Sequence, residues 1–247
     1  MQDMFSGKVA MVTGAGSGIG QATAISFAAK RAKVIVSDIK ENDTVSRIKS
    51  SGGDACFVKT DVSIASECEK LVKQTIQTYG KIDIAFNNAG ILGEENNLAD
   101  TSLEGYAKVI GINLNGVFYC MKYEIMAMLK QGGGVIINTA SILGAVGFAT
   151  YSGYVAAKHG VVGLTQNAAL EYSGKGIRIN CVAPGFIDTP LLNTIDKDAK
   201  QDLIIKHPIG RLGTSEEVAA LVIWLCSEKA SFATGGYYPI DGGYLAN

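Results

Sequence analysis

Short apolar, β-branched runs alternate with longer helical segments along the chain. The runs are apolar at successive positions, which is typical of strands covered on both faces of a sheet. Strands that alternate with helices favour parallel β-α-β units. We therefore predict seven strands, at residues 8–12, 33–36, 55–58, 82–86, 135–137, 177–182 and 237–240.

The segments between these strands predict helices at about 18–30, 65–79, 102–129, 152–173 and 215–226. No linker, repeat or change of composition divides the 247 residues. We predict a single domain, 1–247, with a Rossmann-type α/β fold: a doubly wound, seven-stranded parallel sheet with helices on both faces. Ligands bind such sheets at the carboxyl edge. The least regular stretch, about 189–210, is either a mobile flap over that edge or a surface helix and turn.

Composition excludes several classes of protein. Lysine and arginine (22) nearly balance aspartate and glutamate (23), so a nucleic-acid surface is not expected. No segment approaches the roughly 18 uninterrupted apolar residues of a membrane span. Five scattered cysteines and two histidines predict neither disulfides nor a metal site, and they favour a reducing, cytoplasmic location.

A glycine-rich loop follows the first predicted strand, as Thr-Gly-x-x-x-Gly-x-Gly from Thr13 to Gly20. A strand, a glycine loop and a helix together present backbone N–H groups to a pyrophosphate. The loop departs from Gly-x-Gly-x-x-Gly, because Ile19 and Gln21 stand where a third glycine would be needed. We predict dinucleotide contacts from Gly14, Ser17, Gly18 and Ile19; the alternative is a flexible turn.

Asp38 ends the second strand, eighteen residues beyond Gly20, where a carboxylate can accept hydrogen bonds from an adenosine ribose. The same carboxylate would repel a 2′-phosphate, since two like charges about 4 Å apart cost about 4 kcal/mol at an effective dielectric constant near 20. We therefore predict NAD rather than NADP. The alternative is that Asp38 is an ordinary solvated residue at a strand end.

Two further loops end strands at the same edge of the sheet. Asp61 and Val62 follow the third strand, where a carboxylate can meet the adenine amino group. Asn88, Ala89 and Gly90 follow the fourth, where small residues let the backbone pass close to a ribose. We predict that these five residues bind the cofactor, although each loop alone could be an ordinary turn.

Tyr154 and Lys158 are four residues apart in a predicted helix, so they share a face. A free phenol has a pKa of about 10, and a nearby ammonium favours the phenolate. A decrease of about 3 in that pKa needs only about 4 kcal/mol. Ser141, thirteen residues before Tyr154, follows the fifth strand and can hydrogen-bond a carbonyl or alcohol oxygen in the same crevice.

The whole chain resembles the short-chain dehydrogenase/reductase family of the single-domain type. The resemblance rests on the Thr13–Gly20 loop, Asp61, Asn87-Asn88-Ala89-Gly90, Ser141, Tyr154-x-x-x-Lys158, Pro184-Gly185 and Asp241-Gly242-Gly243. It implies that Tyr154 is the general acid/base, that Lys158 holds the nicotinamide ribose and lowers the tyrosine pKa, and that Ser141 positions the substrate oxygen.

The resemblance also implies roles for residues that the pattern alone does not single out. Asn113, rather than the nearby Asn115, would organise a proton-relay water; the alternative is a polar residue bonded within its helix. Pro184, Gly185, Phe186, Ile187 and Thr189 would contact the nicotinamide half of the cofactor. Family members are commonly tetramers built through two long helices and the last strand, so we expect a homotetramer.

The sequence thus predicts an NAD-dependent enzyme that transfers a hydride between a secondary alcohol and a ketone. The alternatives are a lyase or epimerase that retains its cofactor, and a nucleotide-binding regulator without turnover. The substrate is expected to be a modestly hydrophobic alcohol or ketone, with cyclic ones among the candidates. Its predicted pocket is formed by Leu143, Val146, Phe148 and Tyr151, each of which could instead pack in the core, together with the stretch at 189–210.

Overall fold

Seven parallel strands form one sheet in the computed structural model, which describes residues 3–192 and 197–246. The strands are β1 (Val9–Thr13), β2 (Lys33–Asp38), β3 (Asp54–Lys59), β4 (Ile84–Asn87), β5 (Gly134–Thr139), β6 (Ile177–Pro184) and β7 (Tyr237–Ile240). Their order across the sheet is β3-β2-β1-β4-β5-β6-β7. The predicted fold class is confirmed, and the strand order reverses between β1 and β4, where such sheets bind ligands.

Eight α-helices lie within the described residues: α1 (Gly18–Ala29), α2 (Thr44–Ser50), α3 (Ala65–Tyr79), α4 (Leu103–Ile110), α5 (Gly116–Gln131), α6 (Ser152–Tyr172), α7 (Lys197–Ile205) and α8 (Ser215–Cys226). Glycines at positive φ, Gly80 at 82° and Gly132 at 90°, end α3 and α5. Thr214 begins α8 with a capping box to Glu217.

Each face of the sheet has its own hydrophobic core, which explains why the strands are apolar at successive positions. Ala10 and Val12 of β1 pack with side chains of α1 and α8, whereas Met11 packs on the other face with α3, α5 and α6. Burial on both faces follows from the parallel crossovers, which cover the sheet with helices on each side. Open surface for a ligand therefore lies at the edges of the sheet, beyond the strand ends.

The structure corrects the helix predicted at 102–129. In its place are α4, a π-helical segment Gly111–Asn115, and α5. A π-turn adds a residue to the helical repeat without breaking the helix, so hydrophobic periodicity does not reveal it. The short helix α2 was missed, because in its seven residues only Thr44 and Ile48 are buried and no apolar stripe forms.

The stretch predicted at 189–210 contains a 3₁₀ turn, Pro190–Leu192, and helix α7. Its residues 193–196 lie outside the described part of the chain. Lys200 forms a 2.8 Å ion pair with Asp188, which ties α7 to the loop after β6. Movement of this stretch stays a prediction.

Two further observations concern the described residues only. None of their helices combines the length and the apolar composition that crossing a bilayer requires. No group of three histidine, cysteine or acidic side chains comes together within them as a metal site would require.

Candidate active site

A cleft of about 770 Å³ opens at the carboxyl edge of the sheet, beside the point where the strand order reverses. It brings together residues that are far apart in the sequence. The sequence-predicted residues that line it are Gly14, Ser17, Gly18, Ile19, Asp38, Asp61, Val62, Asn88, Ala89, Gly90, Ser141, Leu143, Phe148, Tyr151, Tyr154, Lys158, Pro184, Gly185, Ile187 and Thr189. Two others, Asn113 and Val146, are not among its lining residues.

The glycine loop leaves no room for side chains. Gly14 and Gly18 have φ values of 60° and 53°, which glycine adopts without strain. A Cβ on Gly14 would lie 2.8 Å from the Cα of Ala89, and a Cβ on Gly20 would collide with the carbonyl oxygen of Gly14. The loop therefore packs backbone against backbone and directs the N-terminus of the twelve-residue helix α1 into the cleft.

Asp38 lies beside this loop. Its Oδ2 accepts a hydrogen bond of 2.9 Å from the backbone N–H of Gly16, and its Oδ1 accepts one of 2.7 Å from Ile39. A Cβ on Gly16 would lie 2.5 Å from Oδ2. The carboxylate is thus fixed at the cleft wall by backbone donors, in a position where it can accept a bond from a sugar hydroxyl.

The loops after β3 and β4 are also held by their own side chains. Asp61 accepts hydrogen bonds from the backbone and the hydroxyl of Ser63, at 2.9 and 2.6 Å. Asn88 donates to the carbonyl oxygens of Thr13 and Gly14, both at 3.2 Å. These bonds join the ends of β1 and β4 and leave the backbone of Ala89 and Gly90 at the cleft surface.

Ser141, Tyr154 and Lys158 meet deep in the cleft. Helix α6 presents Tyr154 and Lys158 on one face, and the Lys158 ammonium lies 5.4 Å from the centre of the Tyr154 ring. Lys158 is buried and donates a 2.7 Å hydrogen bond to the carbonyl oxygen of Thr139. Ser141 is held at the end of β5, where its Oγ accepts from the backbone N–H of Leu143 and its carbonyl oxygen accepts from Tyr237.

The pKa of Tyr154 does not shift in the direction expected from its lysine neighbour. Burial raises the pKa of the phenol, and a side-chain interaction with Ser141 partly opposes this rise. Burial also lowers the pKa of Lys158 to about 8. The expectation from spacing considered only the lysine charge, whereas the loss of hydration of both groups depends on how the cleft is packed.

Asn113 lies in the π-helical segment and is fully buried. Its side chain donates to the carbonyl oxygen of Ile91 at 2.7 Å and accepts from the N–H of the same residue at 2.9 Å. A Cβ on Gly90 would lie 3.2 Å from Asn113 Oδ1 and 3.8 Å from Lys158 Nζ. Asn113 therefore binds the loop that passes next to Lys158, rather than packing only within its helix.

The loop after β6 approaches the glycine loop from the opposite wall. A Cβ on Gly18 would lie 3.2 Å from Thr189 Cγ2. A Cβ on Gly185 would lie 2.8 Å from His207 Nε2 and 3.0 Å from the Cα of Asp241. Asp241 in turn accepts hydrogen bonds from the backbone of Gly243 and Leu245. The Asp-Gly-Gly motif thus supports the Pro184–Thr189 wall.

Sequence reasoning did not single out every residue in and behind the cleft wall. Phe186 packs between Phe148 and His207, with ring centres 5.7 Å away on each side. His207 accepts a hydrogen bond from the backbone N–H of Phe186 through Nε2, and its Nδ1 lies 2.7 Å from the carbonyl oxygen of Leu203. Phe186 belongs to the predicted Pro184–Thr189 run and lines the cleft, whereas His207 belongs to no pattern and is not among the lining residues. Lining residues that the sequence did not single out include Ile91, Leu92, Glu95, Lys108 and Ile112. Leu192 and Leu203, which also line the cleft, lie in the stretch predicted at 189–210.

Comparison with known proteins accounts for this combination of loop, serine, tyrosine and lysine. The family model described as "Enoyl-(Acyl carrier protein) reductase" matches residues 14–245. The chain belongs to the short-chain dehydrogenase/reductase family. As dehydrogenases of this family use a nicotinamide dinucleotide, either NAD or NADP, the chain is an oxidoreductase with such a cofactor.

Similar proteins cover the chain along its whole length. A cyclohexanol dehydrogenase of Acinetobacter sp. (strain SE19) is 49% identical, over 100% of this chain and 98% of that protein. A 2,5-dichloro-2,5-cyclohexadiene-1,4-diol dehydrogenase of Sphingobium indicum (strain DSM 16412 / CCM 7286 / MTCC 6364 / B90A) is 43% identical, with 100% of both chains covered. The crystal structure of levodione reductase superposes with a TM-score of 0.93 at 39% identity, over 98% of this chain and 99% of that one.

Proposed function

We propose that this short-chain dehydrogenase/reductase is an NAD-dependent enzyme that interconverts a cyclic secondary alcohol and the corresponding ketone, with Tyr154 as general acid/base. The observation that carries the proposal is that Ser141, Tyr154 and Lys158 line the same cleft as the glycine loop. Relatives named for cyclic alcohols support the substrate class. So does the apolar end of the cleft, where Leu143, Phe148 and Phe186 lie.

The residues of the cleft fit a dinucleotide. The glycine loop and the N-terminus of α1 would hold its pyrophosphate. Its adenosine half would be held by Asp61, Val62 and Asn88–Gly90. Pro184, Gly185, Ile187 and Thr189 would hold its nicotinamide half, and Lys158 the adjoining ribose. When bound, the nicotinamide supplies the hydride acceptor or donor. Asp38 favours NAD, because its backbone-held carboxylate would repel a 2′-phosphate.

Ser141 and Tyr154 act on the substrate oxygen. The Ser141 hydroxyl hydrogen-bonds that oxygen and stabilises the negative charge that develops on it. Tyr154 transfers the proton: it donates to the ketone oxygen during reduction and accepts the alcohol proton during oxidation. Since burial raises the pKa of Tyr154, its phenol is protonated at neutral pH and suits the acid role. In oxidation the Lys158 ammonium would stabilise the phenolate.

Asn113 has a positioning role in this proposal. It holds both backbone groups of Ile91, so the loop after β4 stays next to Lys158. The family pattern assigns to this asparagine the organisation of a proton-relay water. Such a water would connect the buried Lys158 to solvent while substrate covers Tyr154.

The assembly and the compartment also belong to the proposal. We take the chain to be a homotetramer built through α5, α6 and β7, since α5 and α6 carry the exposed apolar side chains Phe118 and Leu170 and β7 is the last strand of the sheet. We place it in the cytoplasm, because all five cysteines are free and four of them are buried thiols.

The test is a panel of cyclic alcohols and ketones, assayed by NADH and NADPH absorbance. We expect turnover of cyclohexanol and cyclohexanone with NAD(H) preferred over NADP(H) in kcat/KM. Tyr154→Phe should lower kcat by about 10²-fold or more, the usual contribution of a general acid/base, while the Kd for NAD stays close to that of the parent. Tyr172→Phe, at the far end of α6, is the matched control.

Three outcomes would contradict the proposal. A Tyr154→Phe variant as active as the parent would remove the assigned acid/base. A preference for NADP would overturn the role of Asp38. Conversion of substrate without any net change in free NAD would indicate a cofactor-retaining lyase or epimerase.

A further inference from the structure

We define the substrate end of the cleft by its apolar lining residues Leu143, Phe148, Phe186, Leu192 and Leu203. One polar pair interrupts this lining. The hydroxyl of Tyr151 donates a hydrogen bond of 3.2 Å to Oε2 of Glu95. Both side chains line the cleft. They come from loops 56 residues apart in the sequence, after β4 and before α6.

The backbone holds this pair in place from both sides. Asn96 and Tyr151 form an isolated parallel β-bridge, and the N–H of Asn96 donates to the carbonyl oxygen of Thr150 at 3.0 Å. On the other side of Glu95, Gly93 has a φ of 86° and packs so closely on Val109 that a Cβ would collide with that side chain. The position of Glu95 between these two anchors is therefore restricted.

Tyr151 is also fixed relative to the reacting atoms. It is the N-cap residue of α6, three residues before Tyr154, so one helical turn separates the two phenols. Its ring packs against Phe148, with 5.8 Å between the ring centres. Because both residues line the cleft, a substrate ring bound with its reacting oxygen at Tyr154 would lie near Tyr151.

The chemistry of the pair is that of a hydrogen-bond acceptor. Burial, followed by the charge of Glu95 and the hydrogen bond to it, raises the pKa of Tyr151, so the phenol keeps its proton. That proton is directed to Glu95, which leaves the phenol oxygen and the carboxylate as acceptors. Such a site suits a neutral donor such as a hydroxyl group and repels a carboxylate.

Two lysines near the cleft would be the cations to offset this charge. Lys108 lines the cleft, and Lys206 Nζ lies 4.8 Å from the centre of the Phe148 ring, which packs against Tyr151. None of the ion pairs among the described residues includes Glu95. Its carboxylate is therefore not neutralised by a direct partner.

We propose that Glu95 and Tyr151 select cyclic alcohols that carry a second, uncharged hydroxyl group on the ring, and that Glu95 disfavours rings that carry a carboxylate. This inference rests on the proposed function. It assigns the pair to substrate recognition, with no part in proton transfer.

The test compares kcat/KM with NAD for cyclohexanol, 1,3- and 1,4-cyclohexanediol, and 4-hydroxycyclohexanecarboxylate. In the parent enzyme we expect at least one diol to exceed cyclohexanol. Tyr151→Phe and Glu95→Ala should each lower that diol-to-cyclohexanol ratio about tenfold, which corresponds to about 1.4 kcal/mol. Glu95→Gln should raise kcat/KM for the carboxylate relative to cyclohexanol, again about tenfold. Glu104→Gln, which removes an exposed carboxylate outside the cleft lining, is the matched control and should change neither ratio.

The outcomes separate this inference from the proposed function. If the parent oxidises cyclohexanol but neither ratio changes in the Glu95 and Tyr151 variants, the inference is overturned and the proposed function stands. If Glu104→Gln shifts the ratios as strongly as Glu95→Gln, a general charge effect explains them and the inference is also overturned. If none of the rings reduces NAD, the proposed function fails and the inference fails with it.

Discussion

Glu124 is a carboxyl group that the fold encloses completely. It lies on α5 and accepts a 3.0 Å hydrogen bond from Asn87 at the end of β4, and Asn87 also donates to Asn138 of β5. Within the described residues, Glu124 Oε1 and Asn87 Oδ1 have no hydrogen-bond partner. Burial raises the pKa of Glu124 to about 8, and the bond from Asn87 opposes part of this rise. The side chain is therefore largely protonated at neutral pH.

This pKa makes stability depend on pH. The folded state binds the Glu124 proton more tightly than the unfolded state, in which the pKa is near 4.5. The stabilisation that Glu124 gives the folded state through this proton is fully present below pH 4.5 and is lost as the pH rises towards 8. Each tenfold change in proton affinity corresponds to about 1.4 kcal/mol, so the loss is on the order of 5 kcal/mol.

Glu124→Gln should remove this dependence, because glutamine fills the same space and does not ionise. We expect the Tm of the parent to fall more steeply between pH 5 and 8 than that of the variant, and the variant to be the more stable protein at pH 8. Thermal melts across this range measure the difference, with Glu104→Gln as an exposed control. Parallel Tm curves for parent and variant would show that Glu124 does not titrate in this way.

At the scale of elements, the glycine loop depends on its contact with the end of β4. Gly20 is the third residue of α1, and a Cβ on it would collide with the carbonyl oxygen of Gly14 and lie 2.7 Å from Asn88 Nδ2. A side chain there would displace the loop from Asn88. The unit that binds a pyrophosphate is thus β1, its loop, α1 and the loop after β4 taken together.

Gly20→Ala should therefore weaken NAD binding at least tenfold and lower the Tm. The reason is the collision with backbone atoms, which cannot rotate away as a side chain could. Titration calorimetry with NAD measures the effect. Gly163→Ala, in α6, is the control, since no atom lies within 4 Å of its would-be Cβ. Equal NAD affinity in the two variants would contradict the role of the Gly14–Gly20 contact.

The π-helical segment between α4 and α5 shapes another wall of the cleft. Residues Gly111–Asn115 shift the helical repeat, so that Asn113 points inward to Ile91 while Ile112 lines the cleft. Extra turns of this kind occur at functional sites. Here the turn places a buried amide beside Gly90 and Lys158.

At the scale of the whole molecule, several large apolar side chains are exposed on the surface, although many others are buried in the cores on the two faces of the sheet. Phe118 and Met126 are about half exposed on α5, Leu170 is 88% exposed on α6, and Phe232 is fully exposed before β7. Strand β7 is the last in the sheet order and has β6 on one side only. Patches of this kind mark association surfaces.

Light scattering should accordingly give a mass near four times the 25.9 kDa of one chain. Leu170→Glu should shift the mass towards dimers or monomers, because a charge in an apolar interface loses its hydration. Ile76→Glu, at a partly exposed position on α3, should leave it unchanged. A monomeric parent protein would overturn the proposed assembly.

The sequence by itself determined the features that local pattern encodes. Runs of apolar residues specify strands because both faces of a parallel sheet are buried, and the Thr13–Gly20 loop specifies a tight turn because its backbone needs positive φ. The four-residue spacing of Tyr154 and Lys158 places them on one face of α6 through helix geometry alone.

Only the tertiary structure decided what depends on residues distant in the sequence. It brought Glu95 to Tyr151 and Phe186 to His207, and it introduced the π-turn at Asn113. It also set the direction of the Tyr154 and Lys158 pKa shifts, since burial is a property of packing and outweighs the charge pair read from spacing. Short-range periodicity carries no information on either long-range contact or loss of hydration.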